Sequence, residues 1–128
     1  MTPATRSANV YAADCPTRQI LDRVGDKWAV LILLLLRDEP LRFNALRRAI
    51  EGISQKMLSQ VLKSLERDGL VRRRATPTVP VTVEYSITPL GTTLAAAVDP
   101  LRDWAEANLK EVLAAQRRYD SQHKTIAA

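Results

Sequence analysis

The sequence predicts a mainly α-helical domain that carries a small β-hairpin, and three observations support this prediction. The apolar run from Trp28 to Leu36 is typical of a buried helix. The segment from Ser54 to Asp68 places four apolar residues at i, i+3, i+4 and i+7, which indicates an amphipathic helix. Residues 82–88 alternate between polar and apolar types, as a strand does. With 128 residues, of which 46% are hydrophobic, the chain is long enough to bury a core as one domain.

Two helices are predicted to open the domain. Cys15 occupies the N-cap position and Pro16 the first position of a short helix that ends at Gly25. A second helix runs from Lys27 to Arg37 and is apolar almost all round. We therefore expect the second helix to lie at the centre of the fold, with neighbours on most sides.

A helix-turn-helix is predicted next. Residues 41–43 are compatible with a short strand, and Asn44 is predicted to cap a helix that ends at Ile50. Gly52 supplies the turn, and Ser54 is predicted to accept hydrogen bonds from the open N–H groups of the following helix. The two helices around Gly52 thus have the order and spacing of a DNA-binding motif.

A basic hairpin follows this motif. Gly69 ends the second helix, and Arg72 to Arg74 begin the first predicted strand. Pro77 and Pro80 stiffen the tip before the second strand. A basic hairpin directly behind a helix-turn-helix is a wing, so the predicted fold class is a winged helix-turn-helix domain.

The exposed face of the second helix carries side chains that can donate to phosphates and to base edges, which is typical of a recognition helix. Lys56, Ser59 and Gln60 lie in its first turns and are predicted to contact base edges, while later basic residues hold phosphates. The alternative is a solvated face of a helical bundle. The predicted DNA-binding residues are Arg42, Asn44, Arg47, Ser54, Gln55, Lys56, Ser59, Gln60, Lys63, Arg67, Arg72, Arg73 and Arg74.

A long C-terminal helix is predicted with Thr88 as its N-cap and Pro89 as its first residue. Its apolar residues fall near heptad spacing and require a partner. Pro100 interrupts the segment, either as a kink or as a restart after a cap at Asp99. Residues beyond Arg118 lack periodicity and are expected to fray. The predicted boundaries are 1–13 for a flexible arm, 14–115 for the domain with its C-terminal helix, and 116–128 for the frayed tail.

Composition limits the possible functions. Nineteen Lys and Arg against 14 Asp and Glu give a net charge of +5, which suits a polyanion. The longest apolar run is shorter than the roughly 20 residues that a membrane span needs. We find no export signal and therefore expect a cytoplasmic protein. His123 is the sole histidine and no Gly-rich phosphate loop occurs, so we expect no enzyme activity, catalytic residue, cofactor or metal site.

Several separated blocks of the sequence resemble the HxlR-type family of bacterial winged helix-turn-helix regulators. The blocks follow one order between Asp14 and Leu113 and are CPTRQILDRVGDKW, LRFNALRRAI, GISQKMLSQVLKSLERDGLV, VEYSITPLG and LRDWAE. The resemblance implies a homodimeric transcription factor on double-stranded DNA, with the dimer built by the C-terminal helix and the N-terminal segment. Asp26 stands where the family often has a second glycine, and Val81 where a wing-tip proline is common. The predicted dimer interface comprises Ile20, Leu94, Val98, Leu101, Trp104, Leu109 and Val112.

Cys15 is the only cysteine, so it cannot form an intrachain disulfide. In some members of the family that the sequence resembles, a cysteine at this position responds to oxidants or electrophiles. The helix dipole and Arg18 favour a thiolate at Cys15, whereas Asp14 opposes it. One interpretation is therefore a redox-sensing pair of Cys15 and Arg18, and the other is a small packing residue that never reacts.

The resulting hypothesis is a dimeric repressor on an inverted-repeat operator, since a compact regulator without an activation domain is more often a repressor. The alternative is a winged helix that binds an acidic protein partner instead of specific DNA. Trp28 and Trp104 could line an effector pocket, but aromatic residues on apolar helical faces are more often core or interface. We favour the core for both.

Overall fold

The structure is a computed structural model, and it describes residues 9, 11–12 and 14–127, with side chains as far as His123. Over this part of the chain it consists of five helices and a small sheet, and most of the predicted arm over residues 1–13 lies outside it. Two compact units divide the chain at Ala96. The elements in order are α1 (Pro16–Gly25), α2 (Lys27–Asp38), β1 (Leu41–Arg42), α3 (Phe43–Ala49), α4 (Gln55–Arg67), β2 (Val71–Thr76), β3 (Thr82–Ile87) and α5 (Pro89–Ala127).

The core of the first unit lies between α2, α3 and α4 and is completed by the base of the sheet. Helix α2 is the central element, as predicted, because its apolar residues contribute to the core along most of its length. Each buried Leu or Ile stabilises the fold by about 1.5–3 kcal/mol relative to exposure. The fully buried large side chains of this core are Ile32, Leu33, Leu36, Leu46, Leu58, Leu62 and Leu65.

Three antiparallel strands form the sheet in the order β1-β3-β2. The short strand β1 therefore adds a third strand to the predicted two-stranded wing, beside Glu84 and Tyr85 of β3. Tyr85 and Ile87 of β3 pack against the core, as the alternation predicts. Val83 is half-buried and lies outside the core cluster, because the hairpin leaves the body of the domain toward its tip.

Side-chain caps fix the starts of two helices. The carboxylate of Asp26 accepts from the backbone N–H groups of Trp28 at 2.9 Å and Ala29 at 3.4 Å. This cap gives a physical reason for an aspartate at the position where the family that the sequence resembles often has a second glycine. The hydroxyl of Ser54 accepts from the N–H of Met57 at 3.0 Å, so the predicted cap of α4 is confirmed.

The predicted cap at Asn44 is wrong. Helix α3 begins at Phe43, and its N-cap residue is Arg42, which makes no side-chain cap hydrogen bond. Arg42 is extended because it pairs with Glu84 in the sheet, and the chain turns into the helix immediately afterwards. Asn44 therefore lies inside the first turn of α3, where its side chain is exposed.

The base of the wing is joined to the start of α5 through Thr88. Its hydroxyl donates to the carbonyl of Gly69 at 2.7 Å and accepts from the N–H of Gly91 at 3.0 Å, as a helix cap does. Its own N–H donates to the carbonyl of Leu70 at 3.1 Å. Thr88 is thus the predicted N-cap, and it also ties the end of α4 to the first turn of α5.

Helix α5 is continuous through Pro100, so the restart that the sequence left open is not observed. It also extends to Ala127, whereas fraying was expected beyond Arg118. The expectation of a core position for Trp104 is wrong, because this side chain is 59% exposed. Trp28, in contrast, packs against the core of the first unit.

Candidate nucleic-acid interface

Helix α4 presents a straight polar ridge opposite its buried face. The ridge consists of Lys56, Gln60, Lys63 and Arg67, which follow one another at i, i+4, i+7 and i+11 and are all exposed. The apolar residues of α4 occupy the opposite side and pack into the core. The ridge therefore presents three positive charges and one amide to solvent, on the side of the helix that does not pack into the core.

Two further predicted contact residues surround the start of this ridge. Gln55 is exposed at the first position of α4, next to the capping residue Ser54. Ser59 lies on the flank of the helix and is half-buried, so it offers less surface than Gln60. The ridge, rather than the whole polar side of the helix, is the part that a groove of DNA can reach most directly.

Helix α3 adds positive charge beside the turn. Arg47 and Arg48 are both exposed in its last turn, where cations are also favoured by the helix dipole. The predicted site contains Arg47 but not Arg48. The helical spacing of Phe43, Leu46 and Ile50 leaves Arg48 on the outer face, and this was the sequence signal that could have included it.

The turn between α3 and α4 depends on Gly52 and on Trp28. Gly52 has φ +91°, a conformation that L side chains rarely adopt. The Trp28 ring lies beneath this glycine, and the Nζ of Lys27 lies 4.6 Å from the ring centroid. Trp28 therefore supports the turn that orients α4, a role that its sequence position did not reveal.

The wing arginines divide between the two faces of the sheet. Paired residues in an antiparallel ladder point to the same face, so Arg73 shares the face of Tyr85, while Arg74 shares that of Glu84. Arg42 also pairs with Glu84, from the other side. Glu84 thus lies between two arginines and offsets part of their charge, whereas Arg72 is paired with the neutral Ser86.

An ion pair joins α1 to the end of α4. The Nε of Arg23 donates to Oδ2 of Asp68 at 2.5 Å, and both side chains are about one third exposed, at 30% each. Exposed pairs of this kind contribute only about 0–1 kcal/mol. Its effect is one of position, because it fixes the C-terminal end of α1 against the residue that follows the ridge. No local sequence pattern indicates this contact, because the two residues are 45 positions apart.

Cys15 is fully buried, whereas Arg18 is exposed. Cys15 is the N-cap residue of α1 and Arg18 lies in its first turn, where the N–H of Arg18 donates to the carbonyl of Cys15 at 3.1 Å. The two residues of the predicted redox pair are therefore joined by a backbone hydrogen bond, but their side chains lie in different surroundings. The thiol of Cys15 is buried, and the guanidinium of Arg18 is exposed to solvent.

Among the described residues, exposed apolar side chains are grouped on two helices, α1 and α5. In α1, Ile20 and Leu21 are exposed. In the second unit, the apolar residues of α5 recur at i, i+3, i+4, i+8, i+11 and i+12 and form an exposed stripe. We call this the α5 stripe, and it consists of Leu101, Trp104, Ala105, Leu109, Val112 and Leu113.

Two residues of the predicted dimer interface differ from the α5 stripe. Leu94 packs against the core of the first unit, and Val98 is buried. Both belong to the same near-heptad series, but neither is among the exposed apolar residues.

The described residues contain no group of three His, Cys, Asp or Glu side chains that could hold a metal ion. Over the same part of the chain, no helix has the length and apolar character needed to cross a membrane.

The three-stranded wing, the capped ridge of α4 and the turn at Gly52 define a winged helix-turn-helix protein of the DNA-binding class. Residues 23–113 match the model of the HxlR-like helix-turn-helix family, and the chain belongs to that family. The family is one of transcriptional regulators, so the predicted class and family are both confirmed.

Named relatives agree with this assignment. The chain is 50% identical over 109 residues to the HTH-type transcriptional regulator YtfH of Escherichia coli K12. The aligned region covers 85% of this chain and 86% of YtfH. The solved structure of a ytfH regulator from Salmonella typhimurium has a TM-score of 0.79 at 49% identity and covers 85% of this chain and 97% of its own. The solved structure of the oxidised form of the redox regulator HypR has a TM-score of 0.68 at 40% identity. The match covers 73% of this chain and 97% of the HypR chain.

Proposed function

We propose that this protein is a homodimeric repressor that binds an inverted-repeat operator and responds to oxidants or electrophiles through Cys15. The observation that carries the DNA-binding part is the exposed ridge of α4, which lies opposite the buried face and is followed along the chain by the exposed arginines of β2. The ridge and the arginines together suit a groove with phosphates on both sides.

Within each subunit the ridge enters a major groove with its N-terminal turns foremost. The amide of Gln60 can donate to and accept from an adenine edge, which gives sequence information. Lys63 and Arg67 lie farther along the ridge and contact phosphates, as do the wing arginines. Ser54, Gln55, Lys56, Ser59, Arg42, Asn44 and Arg47 complete the proposed surface, and we add Arg48 because it is exposed beside Arg47.

The dimer forms through the α5 stripe. A row of exposed apolar side chains that includes Trp104 and Leu109 is costly in water and is removed from it by a partner helix. A twofold dimer places two recognition helices about 34–36 Å apart, which matches successive major grooves on one side of the duplex. Ile20 of α1 is a further exposed apolar residue for the partner subunit.

We expect repression because the protein is compact and has no activation domain. A dimer that occupies a promoter blocks polymerase without needing contacts of its own to the transcription machinery. The redox part of the proposal is supported by the position of Cys15 at the start of α1 and by the likeness to the redox regulator HypR. Oxidation or alkylation of a fully buried thiol would displace the start of α1.

Fluorescence anisotropy tests the proposal directly. The purified protein is titrated onto the intergenic DNA upstream of its own gene, or onto an operator selected from random duplexes, with scrambled duplex as the control and salt held fixed. Tight binding to one duplex only is expected, with strong salt dependence. Equal weak binding to all duplexes would contradict specific DNA binding and favour an acidic protein partner for the basic face.

The roles of Gln60 and Arg73 can be separated by comparing two variants. Arg73→Ala should weaken binding to operator and scrambled duplex alike and lower the salt slope by about one, because one phosphate contact is lost. Gln60→Ala should reduce the preference for the operator by about 1–3 kcal/mol and leave the salt slope unchanged, because it removes a base contact. If both variants lost only uniform affinity, this division of roles would be wrong.

Cys15→Ser tests the redox response. The wild-type protein should lose operator binding after treatment with diamide or a quinone, and the variant should bind equally well before and after treatment. Anisotropy under reducing and oxidising conditions gives both values. An unchanged response in the variant would show that the signal does not pass through this thiol.

A further inference from the structure

Helix α1 is fixed less firmly in the first unit than the recognition helix is. Its N-cap residue, Cys15, is buried, but none of the residues of α1 itself is. At its other end, the single residue Asp26 connects α1 to α2 and caps the start of α2. Helix α4, in contrast, buries four apolar side chains in the core. Burial therefore holds α4 in place, whereas the orientation of α1 depends on its two ends.

A cleft of about 170 Å³ lies between the junction of α1 with α2 and the side of α4. Arg23 and Asp26 line one side of the cleft, and Gln60 and Ser64 of α4 line the other. Because the two sides do not close on each other here, side-chain packing at this place does not set the angle between α1 and α4. The cleft also borders Gln60, the residue of the ridge that is proposed to read a base.

The ion pair of Arg23 and Asp68 joins the two helices beside this cleft. Arg23 lies in the last turn of α1, and Asp68 is the C-cap residue of α4. Their contact, from Nε to Oδ2 at 2.5 Å, is a charge-assisted hydrogen bond, which is shorter and stronger than a neutral one. It therefore holds the C-terminal end of α1 at a defined distance from the end of the recognition helix.

The same turn of α1 carries two exposed apolar residues. Ile20 is 58% exposed and Leu21 is 51% exposed, and both lie within three residues of Arg23. In the proposed dimer this part of α1 contacts the partner subunit. A change in the angle between α1 and α4 would then move the partner's recognition helix relative to that of the first subunit.

We propose that Arg23 and Asp68 are positioning residues that set the separation of the two recognition helices, and with it the half-site spacing that the dimer accepts. This inference rests on the proposed function, because it requires a dimer on an inverted repeat with α1 at the partner subunit. One base pair added between the half-sites moves them about 3.4 Å apart and rotates one by about 34–36° relative to the other. A dimer whose α1 is held against α4 discriminates against that change.

Fluorescence anisotropy on three duplexes measures this discrimination. The operator is compared with duplexes that have one base pair more or one fewer between the half-sites. We define the spacing ratio as the affinity for the operator divided by the affinity for an altered duplex. Arg23→Gln and Asp68→Asn should each lower the spacing ratio about three- to fivefold, because a partly exposed ion pair restrains α1 by no more than its own interaction energy.

The two variants change the net charge in opposite directions, so a general electrostatic effect on DNA affinity would have opposite signs in them. A spacing ratio that falls in both is therefore an effect of position. Asp22→Asn is the matched control, since Asp22 is exposed on α1 and its neutralisation changes the charge as Asp68→Asn does. The control should keep the wild-type spacing ratio. Thermal unfolding midpoints close to that of the wild type would show that all the variants fold.

The exchange of Arg23→Asp together with Asp68→Arg keeps the net charge and allows the ion pair to form in reverse. It should return the spacing ratio toward the wild-type value. Wild-type ratios in both single variants, a fall that the exchange does not reverse, or equal wild-type affinity for all three duplexes overturns the proposal. A wild type that does not prefer the operator over scrambled duplex, or that sediments as a monomer, overturns the proposed function instead, and this inference with it.

Discussion

Replacement of Gly91 by alanine should destabilise the fold by about 3 kcal/mol or more, since overpacking against a fixed backbone is among the costlier substitutions. A Cβ at this position would lie 2.1 Å from the carbonyl oxygen of Leu70 and 2.7 Å from Cγ1 of Ile87. The Leu70 carbonyl cannot withdraw easily, because it accepts the N–H of Thr88 at 3.1 Å. The close approach of α5 to the base of the wing therefore requires a glycine.

Urea denaturation followed by far-ultraviolet circular dichroism measures this loss at a fixed protein concentration. Gly25→Ala is the matched control, because a Cβ at Gly25 would meet nothing within 4 Å. That variant should equal the wild type or exceed it by up to about 1 kcal/mol, as alanine restricts the unfolded chain. Similar midpoints for Gly91→Ala and the wild type would refute the argument from the close approach.

Leu109→Glu should convert the proposed dimer into a monomer and lower operator affinity by about a hundredfold or more, because each half-site is then bound alone. The substitution places a carboxylate in the middle of the α5 stripe, where burial against a partner would leave it without a counter-charge. Sedimentation velocity measures the oligomeric state, and anisotropy on the operator measures the affinity of the same samples.

Lys110→Glu is the control for this variant. Lys110 is the next residue along α5, is exposed, and lies away from the α5 stripe. The control changes the net charge by two units, against one for Leu109→Glu, so a purely electrostatic effect on DNA binding would be larger in the control. A Leu109→Glu protein that stayed dimeric would exclude the α5 stripe as the interface.

Local patterns predicted most of the fold correctly. Helix α4 and its cap were predictable because the four apolar positions and Ser54 lie within about four turns of one another. The order of helix, turn, helix and hairpin was also predictable, since Gly52 and Gly69, both with positive φ, mark its boundaries. These signals depend only on neighbours in sequence.

The features that sequence analysis missed depend on residues far apart in the chain. Asn44 is a good capping residue, but the pairing of Arg42 with Glu84 decides where α3 begins. The ion pair of Arg23 and Asp68 joins residues 45 positions apart, which no periodicity can indicate. The position of Glu84 between two arginines likewise needed the register of the sheet.

The burial of Cys15 sets a kinetic condition on any chemistry of its thiol. A reagent must wait for the start of α1 to open, so the rate of modification has a ceiling equal to the opening rate, however concentrated or reactive the reagent is. Below that ceiling, small oxidants gain an advantage over bulky ones, since they need a smaller opening. Brief exposure to a large electrophile would then leave most of the Cys15 thiol unmodified, whereas sustained exposure would modify it.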